Sequence, residues 1–497
     1  MQRPHRFIER PSGQGALHAC LTLILVLSGA CISVGPDYES PDLETPASFL
    51  ETQAQGLESQ SAALDAWWKK LEDPVLDSLI QRALSRNLSL RESLARITET
   101  RALRGIIATG LRPTIDVQGS YTREQFSEQT ASGAFGARAA DRFGVGFDSF
   151  WELDLWGRVS RSVEAAQAEI EVSVEDTRDV LVSVLSETAL NYIELRSFQE
   201  RSAIARANIA IQEQTLTLSR SRFDAGLVSE LDVVQAESVL EGTRSALPPF
   251  EAGARAARNR LAVLLGLAPG ALEAELAPAG TIPAPPASVA VGIPAELLRR
   301  RPDIRRSERL LAAQSARIGV ASADLYPRFT LFGSIGLSAE EPGKLSERSA
   351  AGFSFGPSLT WNVFDRSRVR SAIVVEEARQ EQLLLAYERS VLRALEEVEN
   401  ATTGFLRDQR RRDSLARGVE HAQRAVELSR TQYRQGLVSF QSVLDSQQRL
   451  FDLEDLLAVT RASISANLVV LYKALGGGWE NNDIILGEGQ GVGEPTR

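Results

Sequence analysis

Between residues 114 and 121 hydrophobic and polar positions alternate one for one. Ile115, Val117 and Tyr121 share a face with Gly119, and Thr114, Asp116, Gln118 and Ser120 share the other. Phe143, Val145, Phe147, Trp151 and Leu153 alternate in the same way with Gly144, Gly146, Asp148 and Glu152, and Phe150 stands on the polar side as an exception. Phe329, Leu331, Ile335 and Leu337 then alternate with Thr330, Phe332, Ser334 and Ser338. Finally Phe353, Phe355, Leu359, Trp361 and Val363 alternate with Ser354, Gly356, Ser358, Thr360 and Asn362. A period of two is the signature of strands with one apolar face, so the pattern predicts strands over about 114–124, 143–153, 328–338 and 352–364.

A second period takes over after each pair of strands. Val159, Val163, Ala166, Ile170, Val174, Thr177, Leu181, Leu185, Thr188, Tyr192 and Leu195 recur at spacings of three and four, a coiled-coil-like seam. No proline interrupts the chain from Pro113 to Pro248 or from Pro357 to Pro495, which permits very long helices. Helices are predicted over about 156–224 and 227–266, and again over 367–435 and 437–475, with a bend at Pro248-Pro249. The first would be about 100 Å long at ~1.5 Å per residue.

The two halves repeat one another. Ser219-Arg220-Ser221-Arg222-Phe223-Asp224-Ala225-Gly226-Leu227-Val228-Ser229 parallels Ser429-Arg430-Thr431-Gln432-Tyr433-Arg434-Gln435-Gly436-Leu437-Val438-Ser439. Upstream, Leu111, Pro113 and Gly119-Ser120 answer to Leu325, Pro327 and Gly333-Ser334, while Trp151 and Arg158 answer to Trp361 and Arg368. Each half therefore reads helix, strand, loop, strand, very long helix, glycine-containing tip, return helix.

Each strand has about the length that a tilted strand needs to cross a bilayer, and polar loops, around Phe126 to Arg142 and Ala339 to Ala351, join them in pairs. A half-buried soluble sheet is the plainer alternative. Four strands cannot close a barrel, because unpaired edges are not tolerated in lipid, so a membrane barrel would have to be shared between chains. Two copies would leave little lumen, and three or more would leave room for water. The helical hairpins that follow would make either a tube or a solid bundle.

Composition narrows the classes. A net charge of -10 excludes a nucleic-acid binder on bulk charge, and with three His, of which only His421 lies in the body, His-based catalysis or metal ligation has little to work with. The N-terminus carries Arg3, Arg6 and Arg10, an apolar run from Ala16 to Leu27, and Ser28-Gly29-Ala30 before Cys31, which reads as a signal peptide over 1–30. The small residues before Cys31 resemble a bacterial lipobox, so Cys31 is expected to become the lipidated first residue. Ile32, not an acid, follows it, which implies sorting to the outer membrane. Elsewhere no apolar run approaches 18 residues; the longest lies near Leu261 to Ala268.

Together these residues resemble the outer-membrane factors of tripartite efflux pumps, the TolC-like channels, and specifically their lipoprotein, or NodT, branch. The matching text includes Val34-Gly35-Pro36-Asp37-Tyr38, Trp67-Trp68, Asp73-Pro74, Trp151, Leu153 and Asp154 with Gly157-Arg158, and Leu264-Leu265-Gly266. Arg301-Pro302-Asp303-Ile304 with Glu308, Ile318-Gly319 and Pro327, and the ending Leu471-Tyr472-Lys473-Ala474-Leu475-Gly476-Gly477-Gly478-Trp479, complete it. The resemblance implies an α+β membrane protein: a homotrimer whose four strands per protomer form one twelve-stranded barrel, continued by a periplasmic α-helical barrel with a small equatorial region. The organisation expected is a lipidated segment over 31–66, repeats over 67–266 and 294–479, a Pro/Ala-rich equatorial linker over 267–293, and a disordered tail over 480–497.

The resemblance also implies a passive exit duct for drugs or other small toxic molecules, with no cofactor beyond the lipid on Cys31. Its partners would be a periplasmic adaptor, an inner-membrane transporter of the proton-driven resistance-nodulation-division type, and outer-membrane lipid. At the periplasmic aperture Asp445 matches the acidic gate position. Gln448, with Arg449 beside it, stands where the branch often has Arg, and Ser442 replaces a second acid that Asp232 would restore; a salt-bridge lock and a looser hydrogen-bonded constriction both remain open. Gly226-Leu227-Val228-Ser229 and Gly436-Leu437-Val438-Ser439 resemble the adaptor-docking tips, and Gly suits the positive φ of a tight turn.

Rival readings are an outer-membrane component of a protein secretion system and a non-conducting periplasmic lipoprotein. An enzyme is disfavoured: Gly352-Phe353-Ser354-Phe355-Gly356 matches the serine-hydrolase elbow in form only, since that motif needs a strand-to-helix turn and Ser354 is read inside a strand.

Overall fold

The computed structural model describes residues 33–51, 57–58, 64–125, 139–286 and 289–480. The signal peptide, Cys31, residues 126–138 of the first polar loop and the tail beyond Glu480 lie outside the described residues. The chain divides into two compact units. One comprises residues up to Pro41 with Thr98–Glu171 and Glu308–Leu385, the other Asp42–Ile97, Val172–Ser307 and Ala386 onward.

The first unit is built on a four-stranded antiparallel sheet. Strands β1 (Thr114–Glu124), β2 (Ala140–Leu153), β3 (Arg328–Ala339) and β4 (Ala351–Thr360) lie in sequence order, so the two hairpins join along β2 and β3. Strand β2 begins earlier than its alternation predicts, because Glu124 pairs with Ala140. Strand β4 ends earlier than expected, and Trp361 and Val363 lie beyond it. Its last partner is Arg328, preceded by Pro327, which has no N–H to extend the ladder. Gly146 and Gly336 are directly opposed, and a Cβ on either would come within 3.1 Å of the other's Cα and closer still to a neighbouring carbonyl oxygen.

Helices α1 (Pro74–Arg86), α2 (Leu88–Ala108), α3 (Arg158–Asp224), α4 (Glu230–Arg244) and α5 (Leu247–Leu264) belong to the first half of the chain. Helices α6 (Pro302–Ala323), α7 (Arg366–Arg434) and α8 (Phe440–Ala474) belong to the second. Helices α3 and α7 contain 67 and 69 residues, about six times the ~11-residue average. Of the predicted seam on α3 all but Val163 are buried, and Ala165, Ala168, Val182, Val184 and Ile193 are buried as well. The return helix of the first half is broken at Ser245-Ala246, with α5 restarting just before Pro248, a placement that spares the missing proline N–H.

Local signals start and stop these helices. Asp73 caps α1, accepting from the N–H groups of Val75 at 2.9 Å and Leu76 at 3.1 Å. Asp154 caps α3 through Val159 at 2.9 Å and Ser160 at 2.7 Å. The duplication reaches the hydrogen bonds of the tips. The Leu227 N–H donates to Arg222 O and the Leu437 N–H to Gln432 O, both at 2.9 Å, while Gly226 and Gly436 adopt φ of 72° and 75°. These are paired Schellman stops.

In the second unit the C-terminal end of α8 and the residues after it are packed on aromatic and basic side chains from both halves. Trp67 stacks on Tyr472 with centroids 5.5 Å apart, and Trp479 lies under the guanidinium groups of Arg178 and Arg305 at 4.6 and 5.3 Å. No uninterrupted apolar run of 18 residues occurs in α8, since Arg461 and Lys473 interrupt it. By length and composition α8 is nevertheless apolar enough to cross a membrane, although half of its most apolar stretch is buried within the chain.

Candidate channel wall and tips

The sheet presents two chemically distinct faces. On one, the register aligns Ile115, Val117 and Tyr121 of β1 with Ser149, Phe147 and Phe143 of β2, and Phe147 in turn with Ile335 and Phe353. This face is exposed: Ile115 and Val117 are each 69% accessible, Phe353 76% and Phe355 79%. So large an apolar area on the surface is the mark of a lipid or protein contact. The other face carries rows of Asp116, Asp148, Ser334 and Ser354, then of Gln118, Gly146, Gly336 and Gly352. Within the described chain β1 and β4 each pair on one side only, leaving two open edges. Ser354 sits in mid-strand, with Ser334 as its hydroxyl partner at 3.4 Å, not at a strand-to-helix turn.

The segment 33–40 lies against helices of the same unit. The Val34 N–H donates to Trp156 O at 3.2 Å, and Gly35, at φ 93°, backs onto Gly319 so closely that a Cβ there would sit 2.4 Å from the Gly319 Cα. Asp37 accepts from Arg161 Nη2 at 2.6 Å. Burial would lower the Arg161 pKa, but Asp37 and Glu164 outweigh it and hold it above its ordinary value. The Tyr38 hydroxyl donates to Glu308 at 3.2 Å, and burial together with that carboxylate pushes it up to about 12. The motifs around Val34 to Tyr38, Glu308 and Gly319 were each legible in the sequence; that they meet was not.

Arg301 of the Arg-Pro-Asp-Ile motif is a junction in the other unit. Its guanidinium donates to Asp303 at 3.0 and 2.8 Å, to Glu397 at 2.7 Å and to Ala474 O at 2.9 Å. Burial opposes the charge, yet the two carboxylates hold the Arg301 pKa above its usual range. Nearby Asp179 is raised, first by burial and then by Asp303, with Lys473 and Arg301 working against both. Tyr192, noted only as a seam residue in the sequence, donates to Asp73 at 2.7 Å and accepts from Arg196 Nε at 3.0 Å, tying the α1 cap to α3.

At the tips, Leu216, Ala236, Leu240, Tyr433, Phe440, Val443 and Leu444 form one buried cluster that binds the two helical hairpins together. Arg222 lies over the Tyr433 ring at 4.6 Å and donates to its carbonyl at 3.2 Å. Burial raises the Tyr433 pKa, with Arg222 opposing and Asp232 adding to the shift. The turn residues Gly226, Leu227, Ser229, Gly436, Leu437 and Ser439 are exposed and Val228 and Val438 half-buried; Leu227 and Leu437 are 68% and 70% accessible.

Of the aperture candidates, Asp445, Gln448 and Arg449 are exposed on α8, while Ser442 and Asp232 are half-buried at matching places on the two hairpins. Asp445 accepts from Gln441 Nε2 at 2.7 Å, and Gln448 donates to Asp452 at 2.9 Å. Ser439 and Ser442 pair at 3.2 Å, and the Ser229 hydroxyl reaches Asp232 at 3.5 Å. Within one chain the acid at 445 is therefore met by an amide one turn back.

Comparison with known proteins agrees with these surfaces. The family described as outer membrane efflux protein matches residues 79–267 and again 293–477, once per repeat. Nodulation protein T of Rhizobium leguminosarum bv. trifolii is 32% identical over 475 residues, covering 92% of this chain and 96% of the relative. The pyoverdine export outer membrane protein OpmQ of Pseudomonas aeruginosa is 31% identical, covering 94% and 97%. The solved outer-membrane channel OprN is 36% identical, with a TM-score of 0.83 over 90% of this chain and 99% of that one. The chain belongs to the outer membrane efflux protein family, in its NodT branch, and is an outer-membrane channel of the tripartite efflux type.

Proposed function

We propose that three copies of this chain assemble into one exit duct, each giving four strands to a shared twelve-stranded barrel. The observation that carries this is the sheet itself: an exposed apolar face, a polar face and two open edges in a family of outer-membrane channels. In lipid an open edge leaves backbone N–H and C=O groups unpaired at several kcal/mol each, and pairing β4 of one copy with β1 of the next removes the cost. The paired helical hairpins extend the duct into the periplasm. Lipid on Cys31 anchors the chain, two residues ahead of the segment held by Trp156 and Gly157. The exposed Leu227 and Leu437 tips receive a periplasmic adaptor, which couples the duct to an inner-membrane transporter of the proton-driven type.

The duct itself is passive and does no bond-breaking chemistry. Asp445 and Asp232 ring its narrow end, where a hydrogen-bonded constriction fits the Gln441 and Gln448 contacts better than an Asp–Arg lock. Its cargo is small organic molecules handed over by the pump. The experiment is electrical and cellular: purified protein in planar bilayers should give discrete conductance steps. Deleting its gene should raise intracellular dye accumulation and lower the inhibitory concentration of at least one toxic compound. Absence of both effects would contradict the reading.

A further inference from the structure

Two phenyl groups break the polar face of the sheet. Taken over all four strands, that face carries Ser, Thr, Asp, Glu, Gln, Arg and Gly with Ala140, and Phe150 and Phe332 are its only large apolar side chains among the described residues. They are not scattered: Phe150 and Phe332 are direct cross-strand partners. Their row continues to Thr114 on one side and Gly356 on the other. The Phe332 ring lies on this face, since a Cβ built on Gly356 would meet Phe332 Cζ at 3.4 Å. Both remain exposed, at 52% and 45%, so neither is core.

The row is placed close to the helix-joined ends of the strands. On this face only the Glu152, Thr330, Ser358 row and the Arg328, Thr360 pair lie on the helix side of it, whereas the Asp116, Asp148, Ser334, Ser354 row and then the glycine-rich row lie toward the loops. We infer that Phe150 and Phe332 form an aromatic constriction inside the channel, at the helix-proximal mouth of the barrel, that limits the cross-section of what passes. The inference rests on the shared-barrel reading above, in which the polar face lines the lumen.

Geometry gives the constriction its scale. Twelve strands spaced ~4.8 Å apart and tilted ~40° put the backbone at a radius of about 12 Å. Two phenyl groups per protomer make six in a trimer, and side chains of that length aimed inward occupy about half of the radius. Toward the loops the bore opens again, because Gly146, Gly336 and Gly352 contribute no side chain at their level. A ring of that width narrows the bore without closing it, and its phenyl faces offer flat, apolar cargo a surface to slide along.

The test uses the full-length protein in cells and single cysteines on either side of the ring. Its only cysteines, Cys20 and Cys31, both precede residue 33, so an introduced thiol can be followed against a cysteine-unaltered control. Ser354→Cys lies on the loop side and Ser358→Cys on the helix side of the same strand. With maleimides added outside the cell, a small reagent should label both positions and a bulky one Ser354→Cys alone. In a Phe150→Ser/Phe332→Ser background the bulky reagent should label Ser358→Cys at least tenfold faster, and Phe332→Trp should instead slow the small reagent there. Equal labelling of Ser358→Cys by the bulky reagent in both backgrounds overturns the constriction. Failure of even the small reagent at Ser354→Cys overturns it differently, by removing the polar face from the lumen. Should the double serine variant not assemble, Phe332→Trp carries the test alone, and an unchanged small-reagent rate overturns the inference.

Discussion

Single residues carry much of the specification here through backbone contact and buried charge. Gly35 combines a positive φ with backbone contact to Gly319, so Gly35→Ala meets both strain and overlap. Limited proteolysis should cut the 33–40 segment faster in that variant, with a local stability loss of about 1–3 kcal/mol. Asp179 offers a pH test. Its folded pKa is raised, chiefly by burial, so the folded state binds the proton more tightly than the unfolded one. The stability linked to that proton is complete below the ordinary aspartate range and is lost as pH rises through the shifted value. Asp179→Asn should therefore melt higher than the parent at pH 7, and the difference should vanish at the acid end. A parent that is the more stable at pH 7 would show the Lys473 and Arg301 attraction to dominate. The contacts of Gly35, Asp37 and Tyr38 could not be read from sequence, because each joins residues remote along the chain and no local period records them.

Elements were more legible than contacts. Strict period-two alternation marked four strands, and spacings of three and four marked the long helix, because burying one face imposes those periods directly. Ends were less legible: alternation continues through Trp361 and Val363, but pairing stops at Thr360 because β3 supplies no partner before Arg328. The aperture positions were readable only as matches to a family pattern, and their neighbours Gln441 and Asp452 emerged with the helix geometry. At the tips the two helical hairpins hold one another through a single cluster. Leu444→Ala should cost about 2–5 kcal/mol locally, by analogy with other core leucine truncations. Hydrogen exchange should quicken over 209–240 and 433–450 and stay unchanged over β1 to β4. Uniform protection would contradict a tip held by that cluster.

At the scale of the whole molecule, the proposed barrel makes assembly part of the function, because the four strands of one chain leave two open edges. The duplicated unit supplies two hairpins and two helical arms per copy, and closure demands that the β4 edge of one copy find the β1 edge of another. Oxidative cross-linking reads that pairing without an intermediary. Cysteine pairs placed one in β1, across 115–121, and one in β4, across 353–359, should give a covalent ladder ending at three chains, each of 54.2 kDa before processing of the N-terminus. Chains that stay monomeric at every register, while pairs within the β2–β3 ladder oxidise readily, would contradict the shared barrel.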